Sequence, residues 1–290
     1  MYDFAHPLGD CIEKISHSLC TLEFEDHRIL YDWYVDNCSE LFNWKPVELE
    51  FSRLDIEGIE LSKRKLLKIV SEEGLDWSDS VMPTISGLRK RGIISEVLID
   101  FILKCGFSKS DSVIKKEIFN ESIRSINKKA PRIFAVIDPI KIIFENNSFI
   151  KEAYIDRRDV MKNPCEDFWR VYEGNWTRLK HGVNFLTKKI EDELVFAEVD
   201  EMSINMKEAK YKAKVAIHWL TEDNSIPLKV IFYDNLIING EYNKKCKKEK
   251  NILISKEFKK ETLYEFERIG YVYIDENSIG HFICDLKGNK

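Results

Sequence analysis

Apolar positions in the first third of the chain recur at helical spacing. Pro7 suits a first helical position, and Leu8, Ile12, Ile15 and Leu19 then share one face. A second stripe begins near Asp26 and turns Ile29, Leu30, Trp33 and Tyr34 inward. Residues 47–59 alternate and then turn, which predicts a short strand and a loop. Ser62 can cap a helix that Gly74 closes. Further helices are predicted over Thr84–Arg91, closed by Gly92, and over Ser95–Cys105, closed by Gly106. Another runs from about Ser110 to Lys128, with Ile114, Ile118 and Ile126 on one stripe. Ala130-Pro131 ends it, because the residue before a proline is driven out of the helical region.

Beyond Pro131 the texture changes. The run IFAVIDPIKIIFE (133–145) is β-branched and aromatic, interrupted at Asp138-Pro139. KVAIHWL, LKVIFYDNLII and GYVYIDEN continue in the same manner. Short strands separated by turns predict an antiparallel barrel or a pair of barrels. The expected fold class is α+β and multidomain, with the boundary near residue 130. The Lys-rich stretch 244–250 reads as a loop. The 12 glycines form neither a GxGxxG nor a GxxxxGK[ST] loop, and no β-α alternation is long enough for a doubly wound sheet.

Composition narrows the classes. The 290 residues are 44% hydrophobic and 33% charged, which excludes wholesale disorder. No apolar run approaches the roughly 20 residues of a membrane span, and MYDFAHPLGD is no leader peptide, so a cytoplasmic protein is expected. The 7 cysteines are odd in number and none are spaced as CxxC, so reduced thiols are expected and no protein-bound metal. A net charge of -5 argues against indiscriminate nucleic-acid binding. Basic clusters at 62–65, 89–91 and 244–250 can still hold phosphates locally, although such runs are more often solvated surface.

The segments MYDFAHPLGDCIEKISHSLCTLEFEDHR, EFSRLDIEGIELSKRKL, MPTISGLRKRG, APRIFAVIDP and YEFERIGY, in that order, resemble the class I glutamine–tRNA ligases. The resemblance covers nearly all of the chain, densely to about residue 145, and places it in the family's C-terminal half. It implies the part of a catalytic domain that carries the KMSKS-type loop (1–66), a helical connector (67–130) and β-barrel anticodon-binding domains (131–290). The family's HIGH-containing half has no counterpart in this sequence. A fragment is therefore expected, either a truncated product or a partner of a separately encoded N-terminal half, with an apolar face left uncovered within 1–50.

The resemblance also implies a site. Leu61-Ser62-Lys63 stands at the family's MSK, so Lys63 would hold the β- and γ-phosphates of ATP as pyrophosphate leaves. Thr21, Arg53 and Leu54 fall at other ATP contacts, and Mg2+ would arrive with the ATP. Tyr2 matches the tyrosine that recognises the glutamine side chain, and His6 a histidine beside the bound amino acid. Cys20 stands where the related glutamate-specific enzymes carry arginine, which argues for glutamine over glutamate. Lys109, Arg132, Arg170, Arg178, Lys180 and Arg268 match tRNA contacts. The implied partners are tRNA(Gln), L-glutamine and ATP, and the implied state is a monomer. Two alternatives stay open: a glutamate–tRNA ligase of the eukaryotic–archaeal type, and a non-catalytic tRNA-binding remnant. The departures are Val81 for an arginine, Trp169 for a basic residue, Glu265 for a glutamine, and a loop shortened around 146–155.

Overall fold

A computed structural model describes residues 2–145 and 150–286. The chain opens with α1 (Tyr2–Glu13), β1 (His17–Thr21), a 3-10 segment (Leu22–His27), α2 (Arg28–Phe42) and β2 (Val47–Phe51). Strands β1 and β2 pair in parallel, with Ser18 opposite Glu48 and Cys20 opposite Glu50. A small core of Cys11, Tyr31 and Val35 joins the two helices. The first predicted helix is therefore too long, because Leu19 belongs to a strand. A five-residue strand carries too little period to separate the two states.

The predicted inward face of α2 is also corrected. Ile29 is 81% exposed, and Leu30 and Trp33 are exposed as well, while Tyr31 and Val35 are buried. Tyr2, Phe4, Ile12 and Leu19 are exposed too, so several large apolar side chains within 1–50 are left uncovered.

β3 (Leu54–Ile56) pairs in parallel with β4 (Ser112–Ile114), tying the segment before α3 (Lys63–Glu73) to the helical region. α3 starts after Ser62 and ends at Gly74, whose φ of 67° is the left-handed cap the sequence predicts. α4 (Ile85–Lys90) is capped by the Thr84 hydroxyl, which accepts from Gly87 N. α5 (Ser95–Cys105) matches its predicted bounds. α6 (Lys116–Ile126) is shorter than predicted, because 112–114 form β4, and it buries Phe119, Ser122 and Ile123 rather than Ile126. Gly92 (φ 78°) turns the chain against Tyr273, whose ring leaves no room for a Cβ.

The strands that follow are β5 (Arg132–Ile133), β6 (Ala135–Val136), β7 (Pro139–Phe144), β8 (Glu152–Asp156), β9 (Trp176–Leu179), β10 (Asn184–Ile190), β11 (Leu194–Asp200), β12 (Ala216–Ile217), β13 (Ser225–Tyr233), β14 (Ile237–Ile238), β15 (Glu241–Tyr242), β16 (Lys247–Ser255), β17 (Thr262–Phe266), β18 (Gly270–Ile274) and β19 (Ile279–Asp285). They build one six-stranded sheet, β12-β9-β10-β11-β7-β8, and one seven-stranded sheet, β5-β17-β18-β19-β13-β16-β6. Hydrogen bonds between Tyr154 and Leu220, at 2.7 and 3.0 Å, bring the edges of the first sheet together. In the second sheet β5 and β6 are separated by Phe134 alone, so one short stretch of chain supplies both edges. Each curled sheet encloses its own apolar core, around Ile142, Phe185 and Ile217 in the first and Val230, Ile254 and Phe266 in the second.

The purely antiparallel expectation is corrected. The pairs β11–β7, β12–β9, β13–β19 and β17–β5 are parallel, so both sheets are mixed. The predicted loop at 244–250 is also corrected, since Lys247 already belongs to β16 and pairs with Asp79 at 2.6 Å. Of the shortened loop around 146–155, residues 146–149 lie outside the described residues.

Candidate functional site

Helix α1 runs alongside the end of β1, and the groove between them is a cleft of about 600 Å³. Tyr2, His6, Cys20 and Thr21 all line it, together with Tyr31, His27 and Glu48. His6 Nε2 lies 2.8 Å from Ser18 Oγ and 3.0 Å from Asp10 Oδ2. The Tyr31 hydroxyl donates to the same Asp10 oxygen at 2.8 Å, and burial with that carboxylate raises its pKa. Tyr2 packs on the His6 ring at 5.2 Å between centroids.

The charge of the cleft is informative. Neither lysine nor arginine lines it. Its two histidines each face an aspartate, His6 with Asp10 and His27 with Asp3 at 2.8 Å. Glu48 is buried beside Cys20, and burial raises the pKa of both groups. A carboxylate entering this space meets no lysine or arginine and one buried acid. A neutral amide can donate to Glu48 and use the phenol of Tyr2 as donor or acceptor.

Sequence reading missed Glu48. In VELEF the alternation puts charged residues at 48 and 50, where a half-buried strand would face water. Here those positions point inward, and Val47 is exposed. Two glutamates at one phase of a strand otherwise apolar were the available signal.

Glu50, on the same face of β2 as Glu48 but outside the lining of the cleft, organises a separate charge cluster. Its carboxylate accepts from Arg28 Nη1 at 2.9 and 3.2 Å and from Lys109 Nζ at 2.8 Å. Burial alone would raise its pKa, but Lys109 and Arg28 outweigh that and hold it below the usual range. Lys109 also reaches Glu25 at 3.3 Å, so the ammonium expected at a tRNA phosphate is tied to two carboxylates.

The remaining predicted ATP contacts lie apart from this cleft. Leu54 and Leu61 line a second cavity that shares no residue with the first. Arg53 is exposed, 3.6 Å from Asp55. Ser62 N donates to Glu60 Oε1 at 2.9 Å, and Lys65 pairs with the same carboxylate at 2.8 Å. Lys63 opens α3, is exposed, and forms no ion pair among the described residues. An unpaired ammonium at the positive end of an 11-residue helix is well placed for an anion.

Of the predicted tRNA contacts, Arg170, Lys180 and Arg268 meet at the junction of the two barrels, and all but Arg178 hold acids. Arg268 grips Asp159 with both terminal nitrogens, at 2.8 and 2.5 Å, and Arg170 approaches the same carboxylate at 3.4 Å. Lys180 pairs with Glu267. Arg132 pairs with Glu265 at 3.0 Å. Arg178 instead donates to Asn184 Oδ1 at 2.9 Å and Ser203 O at 3.0 Å.

The departures acquire physical reasons. Val81 is buried in an apolar cluster with Leu66, Met82 and Leu236, where an arginine would be stranded. Trp169 receives the Lys214 ammonium 3.3 Å above its ring, so positive charge stays at that place. Glu265 neutralises Arg132.

Residues 1–129 match the family of tRNA synthetases class I (E and Q), catalytic domain, and residues 216–275 match the anti-codon binding domain of the same class. The chain therefore belongs to the class I tRNA synthetases of the glutamate and glutamine type. Its curated relatives are glutamine–tRNA ligases. That of Clostridium perfringens is 36% identical over 327 residues, which take in 96% of this chain and 58% of the relative. That of Haemophilus influenzae is 35% identical over 319 residues, 95% of this chain and 57% of the relative. That of Clostridium kluyveri is 36% identical over 276 residues, 83% and 49% respectively. The chain spans about half the length of the curated relatives it matches. No described helix is long and apolar enough to cross a membrane.

Proposed function

We propose that this chain is the amide-selecting and tRNA-gripping part of an ATP-dependent glutamine–tRNA ligase. The observation that carries the reading is the cleft of Tyr2, His6, Cys20 and Glu48, which offers hydrogen-bonding groups and no lysine or arginine. An amide and a carboxylate are nearly isosteric, so a site must separate them by polar groups, and this one disfavours the anion. The glutamate-specific reading is correspondingly weaker.

In this scheme the glutamine carboxylate attacks the α-phosphate of ATP and pyrophosphate leaves. The acyl group then passes to the terminal ribose hydroxyl of the tRNA. Negative charge grows on the departing phosphates, and a mobile cation placed there lowers the barrier. Lys63 is the group available for this, with Leu61, Ser62, Arg53, Leu54 and Thr21 framing the nucleotide and Mg2+ carried on it. No metal bound by the protein itself is part of the scheme. Arg132, Arg170, Arg178, Lys180 and Arg268 would hold the anticodon loop, and Lys109 a phosphate. Residues 1–66 would then serve catalysis, 67–130 would connect, and 131–290 would read the tRNA. The chain would act in the cytoplasm as a monomer, or beside a separately supplied N-terminal half that covers Tyr2, Phe4, Ile29 and Trp33.

Filter binding of the purified chain to total tRNA tests the gripping role. Affinity should fall roughly 50–150-fold between 50 and 200 mM salt if about four phosphates are neutralised. Binding that is absent, or indifferent to salt, sinks it. The same preparation should show no ATP–pyrophosphate exchange, because its sequence contains neither a HIGH-type motif nor a Gly-rich phosphate loop. Exchange above that of a Lys63→Ala control would overturn the division of labour.

A further inference from the structure

The turn before α3 docks on the second barrel. Gly58 (φ 70°) faces Asn235 so closely that a Cβ would fall 2.8 Å from its Nδ2. Behind this contact lies the second cavity, about 340 Å³, with Leu54, Ile56, Phe101 and Phe119 among its apolar walls. That volume is within the range of small-ligand pockets, about 300–1,000 Å³.

Two cations border the cavity, Arg91 and Lys116. Arg91 Nε is shut off from solvent and has no hydrogen-bond partner among the described residues. Neither cation forms an ion pair among the described residues. The guanidinium rests on the face of Tyr233, 5.2 Å from the ring centre. Asp234 also lines the cavity, but its carboxylate is engaged by Lys248 at 3.3 Å and by Asn235 N at 2.8 Å. Arg91 is half-buried and Lys116 stands exposed at the rim. Desolvation pushes the pKa of both down, with the Arg91 charge adding to the effect on Lys116 and Asp234 opposing it. A buried charge without an ionic partner is costly, and among the described residues the Arg91 guanidinium has only the Tyr233 ring. Apolar walls beside unpaired cations match a ligand that is apolar along its body and anionic at one end.

We propose that this cavity binds a small amphipathic anion, its carboxylate or phosphate on Arg91 and Lys116 and its apolar body against Phe101 and Phe119. The cavity takes in Leu54 and Leu61, two of the nucleotide contacts proposed above, but Arg91, Lys116, Phe101 and Phe119 have no part in the aminoacylation reading, and the proposal goes beyond that reading without resting on it. The cavity lies under the turn that leads to Lys63, so an occupant would brace that turn against the barrel.

Calorimetric titration of the 290-residue chain with octyl phosphate, octanoate, octanol and inorganic phosphate tests the proposal. At least one of the two amphiphilic anions should bind saturably, and the two arms tell a phosphate site from a carboxylate site. Octanol and inorganic phosphate should bind at least about tenfold more weakly than the better amphiphile, each lacking half of the recognition. Arg91→Met and Lys116→Met should each weaken that binding at least about tenfold. The ligand-free Arg91→Met chain should melt at a higher temperature than its parent, because the substitution removes an unpaired buried charge. No saturable binding of either amphiphile overturns the proposal, as does binding that survives both substitutions. A lower melting temperature for Arg91→Met also overturns it, since the guanidinium would then serve the fold through Tyr233.

Discussion

Asp159→Ala should destabilise the chain by about 3–5 kcal/mol, the usual result of removing one member of a buried ion pair. Asp159 is 0% exposed and sits at the end of a 3-10 turn (Arg157–Asp159) in the first barrel. Arg268 reaches it from the turn between β17 and β18 of the second barrel, with two charge-assisted hydrogen bonds. Arg170 adds a second cation to the same carboxylate. Arg268 also holds a left-handed backbone (φ 63°), an uncommon conformation for a long side chain, which the forked grip helps to maintain. Alanine leaves both guanidinium groups beside an empty site. Asp159→Asn keeps the shape and one acceptor, so it should lose less. Urea unfolding of the parent, the Asp159→Ala and Arg268→Ala chains and the double variant measures the coupling directly. A loss within about 1 kcal/mol for Asp159→Ala, or additive single effects, would show that the junction does not depend on this pair.

The same junction shows why part of the site could be read from the chain and part could not. Arg170 and Arg268 were legible as candidate RNA contacts, but the acid they share is 109 residues from Arg268 and no local pattern couples the two. Caps were easier. Gly74 and Gly106 close their helices as expected, and Ser62 sits at the start of its helix although its hydroxyl makes no capping hydrogen bond, because such preferences act over a single turn. Faces were harder. In α2 the largest apolar stripe points outward, because burial follows what the rest of the fold covers and not hydropathy alone. Tyr2, His6, Cys20 and Thr21 were singled out through the family resemblance, and the fold gathers them in one cleft. Glu48 escaped because its charge marked the position as solvent-facing. The parallel pairs within the two sheets join segments far apart in the chain, where turn chemistry carries no signal.

His218 should make stability fall in mild acid. It follows β12, is 0% exposed, and neither ring nitrogen has a hydrogen-bond partner among the described residues. Burial, and then the charge of Arg268, push its pKa from 6.5 down to about 4, with Arg158 and Lys180 acting the same way and Asp159 opposing them. An unfolded chain takes up the proton near pH 6.5, whereas the folded one resists until about pH 4. The contribution is therefore intact above pH 6.5 and drains away as pH falls toward 4. By pH 4.5 the loss amounts to about 2–3 kcal/mol, at about 1.4 kcal/mol per pH unit. Carboxylates also titrate in this range, so the parent must be compared with His218→Leu, which keeps every carboxylate. At pH 7.5 the variant should be at least as stable as the parent, because two unsatisfied buried nitrogens are gone. By pH 4.5 its advantage should have grown by about 2–3 kcal/mol. Stability curves that stay parallel from pH 7.5 to 4.5 would mean that His218 takes up its proton without unfolding the junction. Adding Asp159→Ala to the parent should steepen the acid loss, since the carboxylate is the one neighbouring group that favours the charged ring. The two effects therefore test the same cluster from opposite sides, one by removing its acid and the other by loading a proton onto its imidazole.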